Sequence, residues 1–71
     1  MPELGDRLSN RELDVLACLA KGASNREIAD ELFISVRTVD AHKRNLLDKT
    51  GSKNVAGLVL YAIDRRLFDD V

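Results

Sequence analysis

Basic side chains are concentrated in the middle of the chain, where they could contact the phosphates and bases of a nucleic acid. Residues 36–53 contain five basic and two acidic side chains: Arg37, Lys43, Arg44, Lys49, Lys53, Asp40 and Asp48. The local net charge is therefore +3, although the chain of 71 residues has a net charge of −1. Because screening limits electrostatic attraction to a Debye length of about 8 Å, the local excess matters more than the total. The pattern predicts a weak electrostatic anchor for nucleic acid.

Histidine and cysteine, two residue types that often perform catalysis or bind metals, are scarce. Cys18 is the only cysteine and His42 the only histidine, so neither an intramolecular disulfide nor metal-ligand spacing is present. The chain also lacks a glycine-rich phosphate loop and a nucleophile–base pair. We therefore expect no enzymatic activity, no metal and no cofactor. Cys18 is expected to be buried as a small hydrophobic residue, and His42 to pack inward.

Capping signals predict the elements that position the basic residues. Ser9 with Glu12 and Ser24 with Glu27 have the spacing of a capping box, in which a serine and a glutamate three residues later close a helix N-terminus. Further caps are predicted at Ser35, Gly51 and Asn54. These signals predict an all-α fold, a compact four-helix domain with a central helix-turn-helix and helices at about 10–21, 25–32, 36–50 and 55–66. Phe33 and Ile34 are expected to anchor the turn in the core.

Helical periodicity gives the third predicted helix two different faces. The inward face is predicted to contain Val39, His42, Leu46 and Thr50. The outward face is predicted to contain Arg37, Asp40, Ala41, Arg44 and Asp48. Long donors beside one small residue suit a helix that enters a groove of DNA. A merely solvated charged face is the alternative interpretation.

The flanking helices are predicted to supply an aliphatic core. In the first helix the core residues are expected to be Leu13, Leu16, Ala17 and Ala20, with Val15 and Leu19 beside them. In the fourth helix they are expected to be Val55, Leu58, Val59, Ala62 and Ile63, with Tyr61 on the surface. Ala56, Leu60 and Leu67 lie on a neighbouring face, so this helix has more apolar surface than a one-sided helix needs. A broadly buried core helix is the alternative.

The start of the second helix is a further candidate contact. Free backbone N–H groups after Ser24, together with Asn25 and Arg26, are suited to bind a phosphate. Plain helix capping is the alternative interpretation.

A family resemblance covers residues 8 to about 67. The segments that carry it are Leu8–Glu12, Val15–Leu16, Lys21–Ala29, Leu32–Ser35, Thr38–Val39, His42, Asn45–Leu47 and Lys49–Gly51. In this order, without gaps, they resemble the LuxR/NarL-type (GerE-like) helix-turn-helix domain, as found at the C-terminus of bacterial response regulators. The resemblance implies sequence-specific binding of double-stranded DNA for transcription regulation in the cytoplasm. A helical protein-interaction module that uses the fourth helix is the alternative function.

The resemblance also implies roles for individual residues. It implies base contacts in the major groove at Arg37, Asp40, Ala41 and Arg44. It implies phosphate contacts at Thr38, Lys43 and Lys49, and homodimer contacts in the fourth helix at Ala56, Leu60 and Leu67. RNA polymerase is a further candidate partner, and Glu12 is expected to hold helices together.

Asp40 and Ala41 depart from the family pattern. Relatives often carry a basic or amide residue at the position of Asp40, and Ala41 has no side-chain hydrogen-bonding group. Asp40 could accept a hydrogen bond from cytosine N4 or act mainly by rejecting other sequences. The usual half-site of the family therefore does not transfer to this chain.

The expected domain organisation is a linker at residues 1–7 followed by the DNA-binding domain at 8–71. Such domains often follow a receiver or ligand-sensing domain, and a free-standing regulator is the alternative. We expect no signal peptide, and no apolar run of this sequence is long enough to span a membrane.

Overall fold

The structure, a computed structural model, describes residues 8–64 and contains four helices in that range. They are α1 (Asn10–Ala20), α2 (Asn25–Leu32), α3 (Val36–Thr50) and α4 (Val55–Asp64). The all-α prediction is confirmed, and the predicted bounds of the first three helices agree to within one residue. The predicted linker at 1–7, the predicted end of α4 at residue 66 and the remainder of the predicted domain lie outside the described residues.

Both predicted capping boxes form, and they begin α1 and α2. The Glu12 N–H donates to Ser9 Oγ at 3.1 Å, and the Ser9 N–H donates to Glu12 Oε1 at 2.9 Å. Ser24 and Glu27 make the same pair of bonds at 3.2 and 2.8 Å. The remaining N-caps are Ser35 for α3 and Asn54 for α4, also as predicted. Each box pairs two backbone groups that a helix N-terminus would otherwise leave without a partner.

The core is built around α3, which contacts each of the other three helices. The largest fully buried side chains come from all four helices: Val15, Leu16, Ile28, Val39, Leu46 and Leu58. Val39 and Leu46 lie seven residues apart on the same face of α3, so this face is directed into the core. The opposite face of α3 is consequently held outward.

Within the helices, two core predictions are wrong, those for Ala20 in α1 and Ile63 in α4. Ala20 is exposed, because α2 covers the Cys18 side of α1, where Cys18 Sγ lies 3.7 Å from Glu31 Oε2. Ile63 is 65% exposed, because α4 directs Leu58 and Ala62 into the core and Ile63 points away from both. Tyr61, predicted on the surface, is half-buried.

The turn between α2 and α3 differs from its prediction at one of its two apolar residues. Ile34 packs against the core, and its N–H donates to the Ala29 carbonyl at 3.0 Å. Phe33 is 93% exposed and adopts the left-handed conformation, with φ at 59° and ψ at 44°. A left-handed residue often closes the C-terminus of a helix, where glycine is favoured. The backbone conformation of Phe33 therefore makes the turn, while its ring lies in solvent.

We expect Phe33→Gly to raise the free energy of unfolding by about 1 kcal/mol, because glycine adopts this conformation without steric strain. Little burial is lost, since the ring is exposed. Thermal or urea unfolding measures the change. Gly51→Ala is the matched control, because Gly51 caps α3 with φ at 71° and an added Cβ would meet no atom within 4 Å. The free energy of unfolding of that variant should fall by about 1 kcal/mol, because alanine is strained in this backbone conformation. A destabilised Phe33→Gly variant would contradict the expectation.

Candidate nucleic-acid interface

The outward face of α3 presents the four side chains that were predicted to contact bases. Arg37, Asp40, Ala41 and Arg44 are all exposed, opposite the buried face of the helix. Arginine offers a fork of donors for guanine, aspartate accepts from cytosine, and a small alanine permits close approach of the helix. The face can therefore contact base edges chemically, and the contacts themselves remain a prediction.

Asn25 joins the start of α2 to this face. Its Nδ2 donates to Asp40 Oδ1 at 2.9 Å, and its Oδ1 accepts from Lys43 Nζ at 2.9 Å. The bonds span 15 and 18 residues of sequence. Asn25 and Lys43, predicted to contact phosphates, and Asp40, predicted to contact a base, thus form one polar cluster. Helical periodicity could not reveal it, because it describes faces within one helix and not contacts between two.

The other candidate phosphate contacts near the helix N-termini are involved in capping. Ser24 Oγ accepts from the Glu27 N–H, and Thr38 Oγ1 lies 2.9 Å from Ser35 Oγ. The exposed Arg26 adds a positive charge to the first turn of α2. Capping and phosphate binding are compatible at this turn. The capping box uses the N–H groups of Ser24 and Glu27, so the N–H groups of Asn25 and Arg26 can donate to a phosphate.

Lys49 holds the end of α3 against α1. Its Nζ lies 2.8 Å from Glu12 Oε1, and Glu12 is only 4% exposed. This carboxylate also completes the capping box of α1, so a single side chain links two helices. The structural role predicted for Glu12 is confirmed. A phosphate contact at Lys49, as predicted, would therefore use the same ammonium group that binds Glu12.

The surroundings of Glu12 change its acidity. Burial alone would raise the pKa of this carboxyl, but the hydrogen bonds from Lys49 and Ser9 and the charge of Lys49 outweigh it, so the pKa lies below its ordinary value. The same contacts favour the charged form in the folded protein. Cys18 shows the opposite effect, because burial and the nearby Glu31 carboxylate raise the pKa of its thiol.

Lys53 is a further cation near the interface. It lines an open hollow of about 410 Å³ together with Arg44, Leu47, Asp48, Gly51 and Ser52. Sequence analysis counted Lys53 in the basic stretch but gave it no contact. The left-handed backbone of Gly51 ends α3, and Lys53 follows two residues later on the same hollow as Arg44. Lys53 is thus an additional candidate for a phosphate contact.

An apolar stripe lies on the exposed side of α4. Ala56, Leu60 and Ile63 occur at intervals of four and three residues, and all three are exposed, Leu60 and Ile63 at 65% each. Leu67, the third predicted dimer contact, lies outside the described residues. The alternative of a broadly buried α4 is wrong for the described part, in which only Leu58 and Ala62 are buried.

Residues 8–64 contain no group of three or more His, Cys, Asp or Glu side chains that could hold a metal ion. Cys18 is buried, as predicted, and His42 is half-buried on the inward side of α3. Within the same range, no helix combines the length and apolar character needed to cross a bilayer.

Comparison with known proteins gives one consistent result. A family model described as bacterial regulatory proteins of the luxR family matches residues 6–62. The chain is also similar to the Oxygen regulatory protein NreC of Staphylococcus aureus strains JH9, JH1 and USA300. Identity to each is 48% over 62 residues, which cover 87% of this chain and 29% of the relative. The chain therefore spans less than a third of the length of these relatives.

We expect Glu12→Gln to lower the free energy of unfolding at neutral pH by about 1–3 kcal/mol, because the charge-assisted hydrogen bond between Lys49 and Glu12 is lost. The folded pKa of Glu12 is lowered from 4.5, so its stabilisation is present above that pH and disappears as the pH falls through the folded value. Unfolding of both proteins between about pH 7 and pH 3 should therefore show a shrinking difference. The control is Asp14→Asn, in an exposed pair with Arg11 at 3.8 Å, which should change stability by less than about 0.5 kcal/mol. A difference between wild type and Glu12→Gln that is constant across pH would contradict the prediction.

Proposed function

Because this chain belongs to the luxR family of bacterial regulatory proteins, we propose that it binds double-stranded DNA sequence-specifically and regulates transcription. The observation that carries the proposal is the outward face of α3, where Arg37, Asp40, Ala41 and Arg44 are exposed together. The buried face of the same helix keeps them directed away from the core. No covalent chemistry is required for this activity, so the chain acts as a binding protein and not as an enzyme.

The binding mechanism has two parts. Phosphate contacts from Ser24, Asn25, Arg26, Thr38, Lys43 and Lys49 dock the domain without regard to sequence. Base contacts from α3 in the major groove then select the site. Since the basic excess is local and small, the affinity of one copy is modest and falls with salt.

A response regulator is the proposed context of this domain. The support is the match to NreC of Staphylococcus aureus, an oxygen regulatory protein, over 29% of its length. The rest of such a protein would supply the signal, and the domain would act in the cytoplasm, where bacterial DNA lies. RNA polymerase is a proposed further partner of the bound regulator.

Two copies are proposed to pair through α4. The support is the exposed apolar stripe of α4, which contains the predicted contacts Ala56 and Leu60 and also Ile63. Leu67, the third contact predicted from the sequence, lies outside the described residues. A two-fold pair would place two copies of α3 on half-sites about one turn of DNA apart.

We expect Arg44→Ala to lose base selection at one position and about 1–3 kcal/mol of specific binding free energy. Selection from a randomised duplex pool, followed by titration at about 50 and 200 mM salt, measures both. Arg26→Ala is the matched control: it also removes one exposed arginine, but from a predicted phosphate contact. It should weaken all sequences equally and reduce the salt slope by about one.

Failure of the wild-type chain to enrich any sequence would contradict sequence-specific binding. Failure to bind DNA even at low salt would instead favour the protein-interaction function, for which the exposed stripe of α4 is the supporting observation.

We expect Leu60→Asp to abolish paired binding on a duplex with two half-sites and to preserve binding to a single half-site. The reason is that a charge in the centre of an apolar contact loses its hydration. Sedimentation of the free and DNA-bound protein measures the stoichiometry. Asp64→Asn, on the same helix, is the control for a change of charge outside the stripe. A wild-type chain that remains one copy per two-site duplex would exclude the α4 dimer.

A further inference from the structure

The side-chain amide of Asn25 is bonded at both ends to α3, and this arrangement has a consequence for base selection. Nδ2 donates to Asp40 Oδ1 and Oδ1 accepts from Lys43 Nζ, each at 2.9 Å. A carboxylate can only accept and an ammonium can only donate, so only one orientation of the amide satisfies both partners. The amide is therefore fixed, and it fixes the carboxylate of Asp40 in turn.

The position of Asp40 determines what this fixed carboxylate can recognise. Asp40 is exposed on the outward face of α3, and the bond from Asn25 engages Oδ1. Oδ2 remains available as an acceptor. In the major groove, cytosine presents an amino group that satisfies a carboxylate and no acceptor of its own. Adenine also presents an amino group, but its N7 acceptor lies beside it, and the O6 and N7 of guanine and the O4 of thymine are acceptors that repel a carboxylate. A carboxylate that cannot rotate away keeps this repulsion in force.

We propose that Asn25 is a specificity-determining positioning residue: it holds Asp40 so that α3 prefers cytosine at one base pair. This inference rests on the proposed DNA-binding function and deepens it. Without the bond from Asn25, an exposed aspartate can turn its carboxylate into solvent and avoid a wrong base. The geometry thus gives Asn25 an effect on sequence preference without any contact to a base.

The same contacts commit the side chain of Asn25 to this role and leave its backbone N–H for the proposed phosphate contact. The oxygen of its amide is engaged by Lys43, and one N–H is engaged by Asp40. A phosphate contact by this neutral amide would contribute equally to the affinity for every sequence. A positioning role instead changes the preference at a single base pair.

The test compares the motifs that the 71-residue chain and its variants select from a randomised duplex pool. Asp40→Ala should remove a cytosine preference of about tenfold at one base pair. Asn25→Ala should remove most of the same preference at the same base pair, and the double variant should be no worse than Asp40→Ala. The preference at the base pair that depends on Arg44 should be unchanged in Asn25→Ala.

Asn25→Asp distinguishes the effect of the bond to Asp40 from that of the bond to Lys43. It keeps an acceptor for Lys43 and suits the first turn of a helix, so the fold is retained, but it replaces the donor to Asp40 by a second carboxylate. This variant should lose the cytosine preference as Asn25→Ala does. Thermal unfolding of each variant confirms that the protein compared is folded.

The outcomes separate the two proposals. A wild-type chain that enriches no motif would overturn the DNA-binding function itself. A wild-type motif that persists unchanged in both Asn25 variants would overturn only the positioning role, as would an equal loss of affinity for every sequence. An unchanged motif in Asp40→Ala would also overturn it.

Discussion

Burial of one face of α3 is the constraint on which the rest of the structure depends. Val39 and Leu46 have no exposed surface and are enclosed by the three other helices. A helix is rigid about its own axis and advances about 100° per residue, so fixing these two positions fixes the direction of every other side chain on α3. The outward face, which is the proposed DNA-binding surface, is consequently exposed by packing alone.

Packing determines how α3 is rotated about its axis. Polar contacts with two neighbouring helices then fix the positions of side chains on its surface. Near its C-terminus, Lys49 is bound to the buried Glu12 of α1. In its first half, Asp40 and Lys43 are bound to Asn25 of α2. Hydrogen bonds to charged groups are stronger than bonds between neutral groups. The bond between Lys49 and Glu12 joins residues 37 positions apart, and the two bonds of Asn25 join residues 15 and 18 positions apart. A surface ordered before it meets DNA loses less conformational entropy on binding.

The errors of the sequence analysis occur where a helix has apolar residues on more than one face. Ile63 and Ala20 were assigned to the core because the 3.6-residue period tolerates several choices of buried face when most residues are apolar. The choice depends on which neighbour covers the helix. For α4, packing on α1 and α3 selected Leu58 and Ala62 and left Ile63 beside Leu60, which lengthens the exposed stripe. Phe33 was assigned to the core by its size, although its backbone position directs the ring into solvent.

The sequence by itself determined the four helices, their caps and the division of α3 into two faces. These features depend on contacts between residues three or four apart, such as Ser9 with Glu12 and Ser24 with Glu27, which the order of residues specifies directly. Only the tertiary structure decided that Lys49 binds Glu12, that Asn25 joins Asp40 to Lys43, and that Ile63 is exposed. Each of these depends on how two helices are placed against each other, and that placement results from packing of the whole core.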